Sequence, residues 1–147
     1  MIDTGHMLAD LSSRQALLEL VSGRQDGEIY DALDGVGIER ALDQVFEGMA
    51  RAFVPARAGD ARGVIQWDIG TPRGTLSYQV VIADGRCEVA RGAGEPPRVR
   101  FFALLADFLR IVAGERDPMQ AYFQRTLAAS GDLWFGQQQR MWFESGS

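Results

Sequence analysis

Around residue 54 the apolar pattern of this chain changes period, and that switch restricts the fold more than any other feature. Before it, Ile38, Leu42, Val45, Phe46, Met49 and Phe53 recur at spacings of three and four. They predict one helix whose apolar face stays continuous for about four turns. After the turn-forming "VPARAGDARG", Ile65, Trp67 and Ile69 alternate with Val64, Gln66 and Asp68. That is the pattern of a half-buried strand, with Gln66 and Asp68 expected to be less buried than their three apolar neighbours. "GTLSYQVVIADGRCEVARG" keeps the alternation through Leu76, Tyr78, Val80 and Ile82, turns at Asp84-Gly85 and returns through Cys87 and Val89. With "RVRFF" after the Pro96-Pro97 break, residues 64–102 are expected to form an antiparallel meander.

The remaining helices are marked by their ends. "ALLADFLRIVAG" reads as a helix stopped at Gly114, Asp117-Pro118 supplies a cap and a first helical residue, and Asp132 can cap the last helix. Upstream, residues 8–22 read as a helix with Leu11 and Leu18 on one side and Leu17, Leu20 and Val21 on the other, its start weakened by Ser12 and Ser13. A short helix near 26–34 follows, and Gly35 and Gly37 separate it from the next. A chain of 147 residues is expected to make one domain around one core. No apolar run approaches the roughly 20 residues of a membrane span. The first residues lack the basic start and apolar stretch of a secretory leader, so the cytoplasm is the expected location. Cys87, the only cysteine, cannot form an internal disulfide and reads as a small apolar strand residue.

All fifteen basic residues are arginine, which removes lysine Schiff-base chemistry and the lysine-bearing phosphate loop. The net charge of −5 is uneven: residues 1–60 carry five arginines against eleven acids, the remainder ten against nine. No basic stripe marks a nucleic-acid binder. The acidic half reads first as a solvated helical face and second as a docking surface for a protein partner. His6, the sole histidine, sits in "GHM" near the N-terminus, so neither a histidine triad nor a metal site is expected, and no cofactor is implied. Asp68, Asp107 and Asp132 are the candidate acids or bases, yet each has a structural reading as strand polar face, helix first turn and cap. Binding therefore ranks above catalysis, with Asp132 beside Arg125 or Arg140 as the pair to inspect for acid–base chemistry.

The last helix is unusually aromatic. Counting from Asp132, Phe135, Gln139 and Trp142 share a face, flanked by Met141 and Phe143. Periodicity cannot separate a core helix with one boundary amide from a cavity wall with one polar contact.

From Gly63 to Phe143 the order of these motifs resembles the sterol carrier protein type 2 family: a meander turning at "DG", a strand running into "ADFLRIVAG", then "DPMQAYF", then "SGD" opening a terminal amphipathic helix. "ALDQVFEGMARAF" is similar to the helix that precedes the sheet in stand-alone bacterial members. The resemblance implies an α+β domain, a five-stranded, mostly antiparallel sheet covered by helices around an apolar tunnel, with residues 1–60 as a helical N-terminal extension of the 61–147 core. It also implies a sterol, fatty acid, acyl-CoA or similar lipid as ligand, and neither shared catalytic residues nor a metal. Two departures stand out: "RTLAASGD" replaces a "GKLKIKGD"-like run, with Arg125, Thr126 and Ala128 at its lysine and glycine places, and Gln139 falls where an apolar side chain is usual. On this resemblance the cavity wall is expected from Phe46, Met49, Phe53, Trp67, Tyr78, Phe101, Phe108, Phe123, Phe135 and Trp142, with Gln139 as a polar contact. Two other functions stay open: an interaction protein docking through the acidic helices, and a biosynthetic enzyme acting on a polyketide- or terpenoid-like substrate. A homodimer is compatible with all three.

Overall fold

The computed structural model describes residues 11–144; His6 and the first residues of the helix expected over 8–22 lie outside them. Helix α1 runs Arg14–Val21, α2 Asp26–Asp34, α3 Ile38–Arg51 and the single turn α4 Pro55–Ala58. Strands β1 (Gly63–Thr71), β2 (Gly74–Ala83), β3 (Arg86–Arg91) and β4 (Val99–Leu104) follow, then α5 (Leu105–Ala113), α6 (Pro118–Phe123), β5 (Ala128–Gly131) and α7 (Leu133–Gln138). A 3-10 turn over Gln139–Trp142 ends the ordered elements.

The first helix is shorter than expected because Ser13 is its cap: its hydroxyl accepts from the Ala16 amide at 3.3 Å. Leu11, Leu17, Leu20 and Val21 are buried while Leu18 is exposed, so one stripe rather than two faces the core. Helix α3 follows its pattern, burying Ala41, Leu42, Val45 and Phe46. Asp117 and Asp132 cap α6 and α7 through the amides of Gln120 and Phe135, each at 3.0 Å. Gly114 ends α5 in the left-handed region at φ 85°, a conformation that favours glycine.

The sheet is mixed, in the order β3-β2-β1-β4-β5. The meander expected over 64–102 holds through β3, but β4 then crosses over and pairs parallel to β1, with Trp67 opposite Phe101. The 92–98 connection makes that crossover and covers the far face of the sheet. There Gln79 donates to the Glu95 carbonyl and accepts from the Glu95 amide at 2.6 and 3.2 Å, and also donates to Gln66 Oε1 at 3.0 Å. Gln66 is consequently 2% exposed and Trp67 7%, which reverses the expected order for that pair alone, since Ile65 at 1% and Ile69 at 0% remain more buried than Gln66 and Asp68 is only half-buried. A polar side chain on the outer face is buried by a loop that satisfies it. Asp68 on the same face accepts from Ser77 and Gln66 at 2.7 and 2.9 Å and pairs with Arg100 at 3.3 Å.

On the inner face α3 and α5 pack against Ile65, Trp67, Ile69, Tyr78, Val80, Ile82, Val99, Phe101 and Ala103, all buried. Phe46 stacks on Tyr78 with ring centroids 4.3 Å apart and on Phe108 at 5.4 Å. Arg110, largely buried, pairs with Asp26 at 2.6 Å and donates to the Arg24 carbonyl at 3.1 Å, tying the α1–α2 connection to α5. Burial, then the neighbouring Glu88, push the half-buried Cys87 thiol up to about 12, which keeps it in the neutral thiol form within the sheet.

The Tyr78 hydroxyl donates to Asp43 at 2.7 Å, and Arg91 grips the same carboxylate through both Nε and Nη2. This hydrogen bonding from Arg91, aided by Tyr78, holds Asp43 below its ordinary value of 3.8 against the opposing effect of burial. A carboxylate whose pKa is depressed by folding contributes stability above its unfolded value, and loses it as pH falls through the lower folded value. Asp43→Asn should therefore cost under about 1 kcal/mol at neutral pH, since the pair is largely solvated. The difference from the parent should close well below pH 3.8; urea melts at neutral and strongly acidic pH check this.

Candidate functional site: an apolar cleft between the sheet and the terminal helix

Tyr78, Trp67, Phe101 and Ala129 stand in one row across β2, β1, β4 and β5. At one end of the row α3 covers Tyr78. Towards the other, Ala129 leaves space where its neighbours are aromatic, and a cleft of about 680 Å³ opens above Trp67, Phe101 and Ala129. That size falls within the roughly 300–1,000 Å³ of small-molecule pockets.

Its walls come from parts of the chain distant in sequence. Helix α3 and its C-terminal cap contribute Val45, Gly48, Met49 and Ala52, and the end of α5 contributes Ile111 and Val112. Helix α6 adds Met119 and Tyr122, and α7 adds Leu133, Trp134 and Gly136. The N-terminal segment supplies Ser12, Arg14 and Leu17. Two glycines allow that last approach. A Cβ on Gly48 would lie 2.1 Å from the Ser12 carbonyl oxygen, and one on Gly114 would lie 1.7 Å from Arg14 Nη2. With neither Cβ present, Arg14 reaches the end of α5 and donates from Nε to the Ala113 carbonyl at 3.1 Å, satisfying a terminal helix carbonyl with a cation.

Of the expected wall residues, Met49, Trp67, Phe101 and Gln139 line the cleft. Phe46, Tyr78 and Phe108 form the stack behind it, with Phe108 set edge-on to Trp67 at 4.9 Å. Phe53 lies beside Phe143, ring centroids 5.6 Å apart, across a short antiparallel bridge; Phe143 rather than Phe53 lines the cleft. Phe123, at the end of the six-residue α6, is 74% exposed. Phe135 and Trp142 pack on each other at 5.5 Å, with the Arg98 guanidinium 4.2 Å over the Phe135 ring. Of the common face expected for 135, 139 and 142, Phe135 and Trp142 keep to one side and Gln139 departs, at the point where the backbone tightens to 3-10 geometry. Phe135 and Trp142 turn inward while Gln139 stays on the cleft, its amide donating to the Gly136 carbonyl at 3.1 Å. Arg14, Leu17, Ala52, Val112, Ala129 and Trp134 were not expected as wall residues.

Polar groups are few. Gln137, Gln139, Arg140 and Glu144 border the cleft on the α7 side; Glu144 is paired with Arg57 at 3.0 Å and Arg140 approaches Asp117 at 3.8 Å. The partner of Asp132 is Arg98, at 2.9 Å, and neither Arg125 nor Arg140. The Phe135 amide, then Arg98, hold the Asp132 carboxyl below its ordinary value, the state of a cap rather than of an acid at work. Asp107 pairs with Arg116 at 2.6 Å. Among the described residues no cluster of His, Cys, Asp or Glu could hold a metal ion. The arrangement suits enclosure of an apolar molecule with a small polar end.

Residues 42–144 match the SCP-2 sterol transfer family. Among solved structures, the sterol carrier protein 2 like 2 of Aedes aegypti aligns at 24% identity over 69% of this chain and 95% of that one, with a TM-score of 0.54. The sec-alkylsulfatase Pisa1 of Pseudomonas sp. aligns at 15% identity and a TM-score of 0.61 over 91% of this chain, but only 24% of that one. The span covered in the sulfatase necessarily includes most of the N-terminal helices, and the likeness at these identities is one of fold. No curated protein matches in sequence.

Proposed function

The chain belongs to the SCP-2 sterol transfer family, and from that premise we propose that it binds and carries a hydrophobic molecule, a sterol, fatty acid, acyl-CoA or similar lipid, in the cleft above Trp67 and Phe101. The observation that carries this reading is the cleft itself, apolar on its floor and on most of its walls, with its polar groups confined to Ser12 and Arg14 on the N-terminal side and Gln137, Gln139, Arg140 and Glu144 on the α7 side. In this reading Met49, Trp67, Phe101, Ala129 and Trp134 contact the apolar body of the ligand and Gln139 orients its polar end. The N-terminal helices serve as wall rather than as a docking face for a protein, because Ser12, Arg14 and Leu17 reach the cleft.

Titration with hexadecanoate, hexadecanol and hexadecane, followed by tryptophan emission, tests both parts. All three should bind, with Trp67 and Trp134 responding and Trp142→Phe leaving most of the change in place, since Trp142 lies off the cleft. Gln139→Leu should weaken the acid and the alcohol by about 0.5–1.5 kcal/mol, the net value of one hydrogen bond, and leave hexadecane unchanged. Equal effects on all three would remove the orienting role, and no response to any of them would count against the carrier reading.

A further inference from the structure

Helices α1 and α2 lie outside the residues, 42–144, that match the family, yet α1 places a cation in the cleft wall. Two other arginines stand at or beside the cleft, and both are engaged with carboxylates: Arg57 pairs with the lining Glu144 at 3.0 Å, and the lining Arg140 approaches Asp117 at 3.8 Å. Arg14 differs. Among the described residues its one polar partner is the Ala113 carbonyl, which accepts from Nε at 3.1 Å. Nη1 and Nη2 have none, and since no buried side-chain nitrogen or oxygen of the described residues lacks a partner, these two are open to solvent or to whatever fills the cleft. Gly114 leaves room for the guanidinium against the end of α5, so its position is set before anything binds. Two short links bring it toward the polar groups of the α7 side. Asp117 follows Gly114 by at most about 11 Å of chain, and on α3 Gly48, against Ser12, is one turn from Ala52, whose carbonyl accepts from the Glu144 amide at 2.7 Å.

We infer that Arg14 makes the cleft selective for apolar molecules that end in an oxyanion, a carboxylate or a sulfate, which Nη1 and Nη2 hold while the alkyl body lies on Trp67 and Phe101. Charge supports this choice. The lining charges and their ion-pair partners are three arginines against two carboxylates, an excess of positive charge in a chain whose net charge is −5. The excess is Arg14 itself. The Ala113 carbonyl orients the guanidinium through its dipole but carries no formal charge to cancel it. A planar fork of N–H groups matches an oxyanion, and a charge-assisted hydrogen bond is worth about twice a neutral one. An ammonium-headed molecule would meet like charge there, and an alcohol would gain only what Gln139 gives it. The inference rests on the carrier reading: it names the head group of the molecule carried, and Gln139 remains the contact available to any polar end.

Binding of hexadecanoate, hexadecyl sulfate, hexadecanol and hexadecyltrimethylammonium to the full chain, each below its micelle-forming concentration and followed by tryptophan emission, tests the inference. The parent should bind both anions more tightly than the alcohol by roughly tenfold, and the ammonium most weakly. Arg14→Gln puts an amide nitrogen where Nε stands, so the bond to Ala113 can persist while the Nη pair and the charge are gone. It should lose the preference, binding the two anions roughly tenfold more weakly and the alcohol as the parent does. Arg14→Lys, which keeps the charge without the fork, should retain part of it. A loss confined to one anion identifies that head group as the one recognised. The inference is overturned if Arg14→Gln weakens anions and alcohol alike, the effect of a merely structural residue, or if the anion preference survives it, which would assign the preference to Arg140. Should neither variant fold, the parent series decides, because equal affinities for the anions and the ammonium overturn the inference without them. Binding of the alcohol with no preference among heads removes this inference and leaves the carrier reading standing; binding of none of the four removes both.

Discussion

Phe108→Ala should lower the free energy of unfolding by about 3–5 kcal/mol, the range for truncating a fully buried phenylalanine. Phe108 is 0% exposed and is the hinge of the aromatic packing, with Phe46 5.4 Å away on one side and Trp67 4.9 Å away on the other. Neither neighbour is free to fill the space. Phe46 is stacked on Tyr78, whose hydroxyl is fixed on Asp43, and Trp67 is held by its strand and by Phe101 at 4.8 Å. The void should therefore persist behind the cleft floor, with the cost near the upper end of the range. Urea denaturation should give a lower midpoint with little change in slope. A loss under about 1 kcal/mol would mean that the floor can collapse, and that the separation of core stack from cleft wall is wrong.

Ala129→Trp should lower affinity for hexadecanoate by roughly 10- to 100-fold, equivalent to about 1.4–2.8 kcal/mol, with little effect on stability. Ala129 closes the row Tyr78–Trp67–Phe101–Ala129 and faces the cleft, so an indole there occupies ligand space rather than core. Ala128, its neighbour on β5, is exposed on the opposite face. Ala128→Trp is thus the control, expected to leave affinity alone. Equal effects of the two substitutions would place the binding site elsewhere.

The parts of the fold legible in the sequence are those set by local chemistry. The spacing of Ile38 to Phe53 specifies α3, alternation specifies β1 and β2, and Asp117 and Asp132 cap because a carboxylate accepts from the amide three residues on. What escaped depends on contacts between distant residues. Gln66 is buried only because Glu95 bonds Gln79 beside it, and no property of β1 announces that loop. Arg14 reaches the cleft through a hydrogen bond to Ala113, ninety-nine residues away, across gaps that Gly48 and Gly114 leave open. The aromatics illustrate the limit most clearly. Phe46, Phe108, Trp67 and Phe101 all follow an apolar period, yet only the last two meet the cleft, because a period identifies a buried face and not what covers it. The best sequence pointer to the cleft was a small residue, Ala129, in a row of large ones, readable only once the register of four strands is known.

Native mass spectrometry of the purified chain tests the central claim most directly. The account predicts a population carrying one apolar molecule per chain, released on unfolding, displaced by added hexadecanoate and reduced in Ala129→Trp. A chain that is bare as purified, and that stays bare after incubation with hexadecanoate, hexadecanol and a sterol, would contradict it.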